Sequence, residues 1–458
     1  MINMQLSKAA EILQTTYQGE DICFFSCSTD TRTLKDKALF IALRGENFDG
    51  HDYIDKAKAA GASAVLVEEE QDKVIPSIVV KNARHAMGEL AKNWRASFSI
   101  PLVAITGSNG KTTVKEMVAA ILNCKAPVLA TQGNLNNDIG VPLTLFGLGD
   151  EHKYAVIEMG ANHLGEIAWL SEISQPTVAV ITQCAPAHLE GFGSVEGVAQ
   201  AKSEIFSGLL NDGIAVINGD DDFADFWLQE SKHANQLTFG LNSHNEVTAK
   251  SIQIKNGKSS MQMVSPVGDI EIALNVPGMH NITNALAAAA CAISLGISLS
   301  AIKQGLESVN AVKGRLQIKT GLQQCRIIDD TYNANPTSLE AALKVLNEFP
   351  GRHWLVLGDM GELGSDAEAL HEYAGEISKA SGVERLYALG ELTKCSVQSF
   401  GEGAQHLSGH KQLALLLEKE IDSDVTILIK GSRAMGMEQL VNALVLNDMV
   451  VNTTVEKE

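Results

Sequence analysis

This sequence predicts a three-domain α/β protein, on three observations. At 458 residues the chain is longer than one ordinary domain. Short apolar runs alternate with helical stretches along most of its length. Two junctions break that alternation. One is Ser99-Ile100-Pro101, where the residue before proline favours extended backbone, and the other is Gly314-Arg315. The expected units are residues 1–99, 100–313 and 314–458.

In the first unit, ALFIAL (38–43) and SAVLVE (63–68) read as buried strands on either side of DYIDKAKAAG (52–61), a helix closed by Gly61. The unit ends in SIVVKNARHAMGELAKNWR. The second unit opens with LVAITGSNGKTTVKEMVAAIL, a strand, a glycine-containing loop and a helix. YAVIEM (154–159), TVAVIT (177–182) and IAVIN (214–218) continue it as a mostly parallel sheet. From about Gln236 to Val276 the pattern alternates, with hairpin turns expected at Asn256-Gly257 and Gly268-Asp269, so an antiparallel addition is predicted. Ala285 to Leu299 reads as a buried helix. In the third unit CRIIDD (325–330), HWLVLGD (353–359), RLYALG (385–390) and VTILIKG (425–431) predict a small doubly wound, Rossmann-like sheet. None of these strands is followed by G-x-G-x-x-G, which argues against a dinucleotide dehydrogenase.

Composition narrows the function. Hydrophobic residues make up 45% and charged residues 20%, enough for sizeable cores. The formal net charge of −19 argues against a nucleic-acid or membrane-surface binder. It leaves room for small anionic ligands, which a few local cations and a helix N-terminus can hold. The seven cysteines are scattered and form no Cys-x-x-Cys pair, so a disulfide framework or structural zinc is not expected, and a reducing compartment fits. MINMQLSKAAEILQ lacks an apolar leader core, and Ala285–Leu299 is shorter than the roughly 20 residues that span a bilayer. A cytoplasmic protein without an integral membrane segment is expected.

Thr106-Gly107-Ser108-Asn109-Gly110-Lys111-Thr112-Thr113 is the strongest chemical signal. Backbone N–H groups of such a loop can surround phosphate oxygens, with the helix dipole favouring their charge. Lys111 would reach the β- and γ-phosphates of ATP, and the Thr112 hydroxyl would ligate Mg²⁺. Ile105 stands where the common phosphate-loop pattern has its first glycine, so the loop is a shortened variant; a plain glycine-rich turn is the alternative. Glu158 ends a strand at the edge where open α/β sheets place ligands. Taken alone, His188 could be a solvated loop residue, Lys202 a surface charge on its helix, and Asp330 a turn or cap residue.

Read together, the motifs change that picture. TGSNGKTT (106–113), GNLNNDIGVPLTL (133–145), EMGANHLGEI (158–167), AHLEGFGS (187–194) with Lys202 downstream, PGMHNITNALAAAA (277–290) and Gly314-Arg315 occur in one order over nearly the whole chain. The set resembles the Mur ligases of peptidoglycan synthesis. The resemblance implies an ATP-dependent amide-bond ligase that activates a carboxylate as an acyl phosphate. STDTR (28–32) and FIALRGENFDGHDYI (40–54) resemble the family's uridine-diphosphate-binding domain. DDTYNANPTS (329–338), LGDMGELG (357–364) and KGSRAMGME (430–438) resemble the branch that adds a dipeptide. The implied substrates are UDP-MurNAc-tripeptide and D-Ala-D-Ala, handled by a monomer. The branch that adds a single amino acid is the first alternative, but its expected Asp-Asn-Pro-Arg is missing. A nucleotide-dependent binding or switch protein is the second.

The resemblance also implies roles. Lys111 and its loop hold the ATP phosphates; Thr112 and Glu158 ligate one magnesium, and His188 a second. Lys202 is carbamylated by CO₂ and becomes an anion near the metals. Asn281 lies against the nucleotide base, and Arg315 and Asp330 reach the nucleotide from the third domain. Ser28, Arg32, Arg44, Asn47 and His51 fall in the segments expected around the UDP moiety.

Overall fold

The structure, a computed structural model, describes residues 2–45, 48–70, 75–186, 189–255 and 257–446. The expected residues Asn47 and His188, and Asn256 of the anticipated turn, lie outside this set.

The N-terminal sheet has five strands in the order Tyr17–Gln18, Ser77–Val79, Ala62–Val67, Ala38–Ile41, Ser26–Ser28, all parallel except the first pair. The run ALFI is buried at every position, as a strand covered on both faces must be. The helix Ala83–Ala96 is capped by Asn82, whose side chain accepts from the His85 N–H, and buries Ala83, Ala86, Met87, Leu90 and Ala91 along one stripe. That stripe belongs to a core continuous with the central unit, which also takes in Val141, Leu145, Ile167 and Leu170. A Cβ on Gly88 would stand 2.4 Å from the Trp169 ring, so glycine is needed for this approach. Arg95, 2% exposed, closes the joint. Its guanidinium donates to the carbonyls of Ser174 (3.0 Å), Phe98 (2.5 Å) and Ile100 (2.9 Å).

The central sheet is parallel, in the order Asn235–Phe239, Ile214–Asn218, Val178–Ile181, Leu102–Thr106, Tyr154–Glu158, Val128–Ala130. The helices Lys111–Asn123 and Met279–Ser294 share the core on one face. Helix Leu299–Ser308 comes so close that a Cβ on Gly305 would meet the Ile121 backbone at 2.4 Å. The antiparallel addition is a separate sheet of Thr248–Lys255, Lys258–Ser265 and Gly268–Leu274. It begins later than the alternating pattern suggested. Asn235–Phe239 pairs in parallel with Ile214–Asn218 because helix Ala224–Glu230 carries the chain across between them. The second turn centres on Pro266-Val267, and Gly268-Asp269 already pairs with Ser265 and Val264. The expected helix Ala285–Leu299 is two helices, interrupted where Gly296 takes φ +69°.

The C-terminal sheet runs Gln317–Thr320, Arg326–Asp330, Val425–Lys430, Arg352–Gly358, Arg385–Leu389, Ala404–Leu407. Its two short edge strands, the first antiparallel, were not anticipated from sequence. Among the described residues no helix is long and apolar enough to cross a membrane. All seven cysteines are free.

If Arg95 fastens the first two units, Arg95→Leu should strip the buried carbonyls of their donors and lower stability by about 3 kcal/mol. Arg95→Lys should recover little, since an ammonium lacks the planar fork. Urea denaturation measures this; an unchanged midpoint for Arg95→Leu would show that the joint does not depend on the guanidinium.

Candidate active site

The strand Leu102–Thr106 is wholly buried and delivers the glycine loop to the carboxyl edge of the central sheet. Gly107 takes φ +143°, and a Cβ there would lie 2.0 Å from the Thr182 hydroxyl. Gly110, at φ +84°, stands at the N-cap of helix Lys111–Asn123. Neighbouring strand ends hold the loop rigidly. Thr182 Oγ1 donates to the Asn109 carbonyl at 2.5 Å, and Ser108 Oγ exchanges hydrogen bonds with the Ala185 backbone at 3.0 Å. Lys111 folds back and donates to the Gly107 carbonyl at 2.7 Å. Thr112 is buried at the first turn and Thr113 half-buried beside it. The helix Met279–Ser294 borders the loop. Asn281 donates to the Pro277 carbonyl and accepts from Asn284, whose side-chain oxygen lies against Gly110.

Next to the loop, Glu158 pairs in register with Ile105. It is 2% exposed. One carboxylate oxygen accepts from Asn136 Nδ2 at 2.9 Å, while the other is buried with no hydrogen-bond partner among the described residues. An orphaned buried carboxylate oxygen is costly unless a cation meets it. Glu158 and the Thr112 hydroxyl offer the hard oxygen donors that magnesium prefers. Among the described residues no group of three His, Cys, Asp or Glu side chains could hold an ion.

Lys202 is not on the surface. The helix Val195–Ser203, capped by the Ser194 hydroxyl, turns it inward to 1% exposure, 5.4 Å from the centre of the Phe192 ring. Burial, then repulsion from Lys111, brings its ammonium from 10.5 down to about 7. Lys111 is lowered too, chiefly by burial; Glu158 opposes the shift, Arg315 adds to it, and Glu362 opposes it. Half-buried Lys111 is therefore near enough to both buried Lys202 and buried Glu158 for their charges to interact.

The C-terminal unit reaches this spot at several points. Arg315 lies over the Tyr332 ring, 4.2 Å from its centre, and donates to Thr112 Oγ1 at 3.2 Å. Its Nε is buried without a hydrogen-bond partner among the described residues. Asn335 caps helix Pro336–Leu346 through a capping box and donates to Asn109 Oδ1 at 3.0 Å. Asp330 faces its own domain: it is ion-paired with Lys430 and accepts the Leu316 N–H at 3.2 Å.

Among the described N-terminal candidates, Ser28 ends the strand Ser26–Ser28 with Arg32 in the loop after it, and Arg44 and His51 follow its parallel neighbour Ala38–Ile41. Ser28 shapes a turn with Asp30, and Arg32 is paired with Asp30 at 2.7 Å. Arg44 is ion-paired with Asp49 (3.0 Å), Glu68 (3.6 Å) and Glu69. His51 Nδ1 meets Asp49 at 2.5 Å while its Nε2 accepts the Glu68 N–H, which describes a neutral ring. Sequence reasoning assigned no role to Asn136, Thr182 or Asn335. Asn136 and Asn335 sit inside quoted motifs, but their partners are distant in the chain.

Three family models match the chain: the Mur ligase family catalytic domain over residues 26–95, the Mur ligase middle domain over 105–292, and the Mur ligase glutamate ligase domain over 314–433. The UDP-N-acetylmuramoyl-tripeptide–D-alanyl-D-alanine ligase of Escherichia coli is 45% identical over 97% of this chain and 99% of its own length. The ligase of the same name from Bacillus subtilis is 33% identical over 97% of this chain and 99% of its own. A crystal structure of MurF from Acinetobacter baumannii superposes with a TM-score of 0.92 at 35% identity, covering 96% of this chain and 98% of that one. MurF ligase from Thermotoga maritima in complex with ADP gives 0.83 at 27% identity, covering 91% and 96%. The chain belongs to the Mur ligase family.

Proposed function

We propose that this protein joins UDP-MurNAc-tripeptide to D-Ala-D-Ala, converting ATP to ADP and phosphate through an acyl phosphate. The observation that carries the reading is the convergence of Lys111, Thr112, Glu158 and Lys202 at one sheet edge, in a chain that matches dipeptide-adding ligases over 97% of its length. The working domains are 1–99 for the UDP substrate, 100–313 for ATP and 314–458 for closure and the acceptor. Ser28, Arg32, Arg44, Asn47 and His51 take the uridine diphosphate side. The enzyme works as a cytoplasmic monomer.

A carboxylate attacking ATP meets anionic repulsion. Lys111 would leave the Gly107 carbonyl for the phosphates, and the loop N–H groups would complete the cradle. Thr112, Glu158, His188 and carbamylated Lys202 would hold magnesium, which neutralises phosphate charge when bound. The lowered Lys202 ammonium favours the carbamate, because CO₂ adds to the neutral amine, forming an N–C bond and releasing a proton. Asn281 would lie against the base, with Arg315 and Asp330 approaching from the C-terminal side. The first two units share a core, so closure over the acyl phosphate falls to the polar seam between the second and third.

Coupled ADP release over a matrix of UDP-peptides and acceptors tests the reading. Turnover should require UDP-tripeptide and D-Ala-D-Ala together. Preference for a single amino acid would move the protein to the neighbouring branch of the family, and ATP hydrolysis needing neither partner would favour a switch protein. Lys202→Ala should lose most activity, by about 10²-fold or more. Formate or acetate should restore part of it by presenting oxygens in the vacated space. Lys202→Arg should resist such rescue because it keeps a bulky cation. An active Lys202→Ala enzyme that ignores added carboxylate would remove the carbamate from the account.

A further inference from the structure

Lys115 has no part in the chemistry described so far, yet it is 2% exposed. Lysine is seldom enclosed in this way unless its ammonium is paired. It follows Lys111 by one turn on helix Lys111–Asn123, and its Nζ donates to the Thr131 carbonyl at 2.8 Å. Glu116 is ion-paired with it at 2.7 Å. Thr131, itself 1% exposed, follows Val128–Ala130, the strand at one edge of the central sheet. A three-residue edge strand paired on one side is weakly held by its own backbone. Thr131 fastens its end at three points. Its N–H donates to the Val156 carbonyl at 3.0 Å, its carbonyl accepts from Lys115, and its hydroxyl accepts the Glu158 N–H at 3.0 Å. The strand pairing stops at Ala130 and Val156, so the hydroxyl supplies the next rung.

Glu158 is thus held on its backbone by Thr131 and on its side chain by Asn136, whose carbonyl accepts the Gly160 N–H at 2.8 Å. Its other carboxylate oxygen has no hydrogen-bond partner among the described residues. Where that oxygen points depends on how firmly the strand end is fixed, because the side chain pivots on it. We propose that Lys115 is a positioning residue for the metal site: through Thr131 it fixes the end of the strand that carries Glu158 and so aims the free carboxylate oxygen at the cation. The ammonium of Lys115 is committed to Thr131 and Glu116, so the effect travels through hydrogen bonds and not as a free charge at the phosphates. Groups that orient a metal ligand in this way matter to affinity although they never touch the ion. The inference rests on the reading of Glu158 and Thr112 as magnesium ligands.

The test measures binding of a non-hydrolysable ATP analogue to the full-length protein by calorimetry, once with magnesium and once with EDTA, without UDP-tripeptide or acceptor. In Lys115→Met, which keeps an unbranched chain without the ammonium, affinity with magnesium should fall by about 10-fold or more, while affinity in EDTA stays within about twofold. Lys115→Gln, which keeps a shorter neutral donor, should show the same pattern at smaller size and stands in where Lys115→Met does not fold. Thr131→Val should match Lys115→Met, whereas Thr131→Ser, which keeps the hydroxyl, should stay within about twofold of wild type. The double variant Lys115→Met/Thr131→Val should bind no more than about threefold more weakly than the weaker single variant, since both act on one path. Equal losses with and without magnesium would place Lys115 in the folding of the phosphate loop and overturn the inference. Unchanged binding in the folded Lys115 variants or in Thr131→Val would overturn it. A Thr131→Ser variant as weak as Thr131→Val, or losses that multiply in the double variant, would also overturn it. Wild-type protein whose affinity for the analogue gains nothing from magnesium would refute the magnesium reading itself.

Discussion

A buried lysine, Lys202, and a half-buried one, Lys111, at one edge of a parallel sheet are the constraint on which the site depends. Lys202 is almost fully enclosed and Lys111 is lowered chiefly by burial, and the Lys111 charge makes that of Lys202 harder to hold. Such an arrangement is costly for an unliganded fold and favourable only when anions arrive. Glu158 supplies one negative charge, but one of its oxygens is unsatisfied. The site is therefore an incomplete electrostatic set, which on the proposed reading phosphates, a hard cation and an anionic form of Lys202 would complete. Rigid backbone makes this tolerable. The loop is pinned by Thr182 and Ser108, and Glu158 is steered by Asn136, so little reorganisation is needed when the ligands bind.

The same constraint explains how the domains are joined. The N-terminal unit is fused to the central one through the helix Ala83–Ala96, Trp169 and Arg95, so these two units share one core. The C-terminal unit instead touches the phosphate loop through polar contacts, Arg315 to Thr112 and Asn335 to Asn109. Those contacts occupy groups that a nucleotide would use, and they can be exchanged for it. A hydrophobic seam there would not separate readily, whereas hydrogen bonds can be traded for ligand contacts at small net cost.

Much of the fold was legible because parallel strands covered on both faces appear as unbroken apolar runs: ALFI, LVAIT, VAVI and VTILIK stand close to where their hydrophobicity put them. Edge strands carry no such signal. Gln317–Thr320 and Ala404–Leu407 are short and half-exposed, and Asn235–Phe239 is polar at its start; its pairing follows from the crossover helix before it. The phosphate loop was readable because its chemistry is local. Lys202 was not, since nothing in VEGVAQAKSEIF separates a buried lysine from a solvated one; its role came from resemblance alone. Asn335 is a helix cap that also spends its amide on Asn109 in another unit, a contact that its local motif does not show. Arg32 and Arg44 fall in the segments that the resemblance places around the UDP moiety, and the fold gives them Asp30, Asp49, Glu68 and Glu69 as ion-pair partners, which a motif does not show.

The electrostatic account turns on the charge that Lys202 carries. Carbon-13 NMR of the protein equilibrated with ¹³C-labelled CO₂ reads this directly. The account predicts a single lysine carbamate resonance that strengthens with magnesium and nucleotide and vanishes in Lys202→Arg. No carbamate resonance in the wild-type protein under turnover conditions, or one that persists in Lys202→Arg, would contradict it.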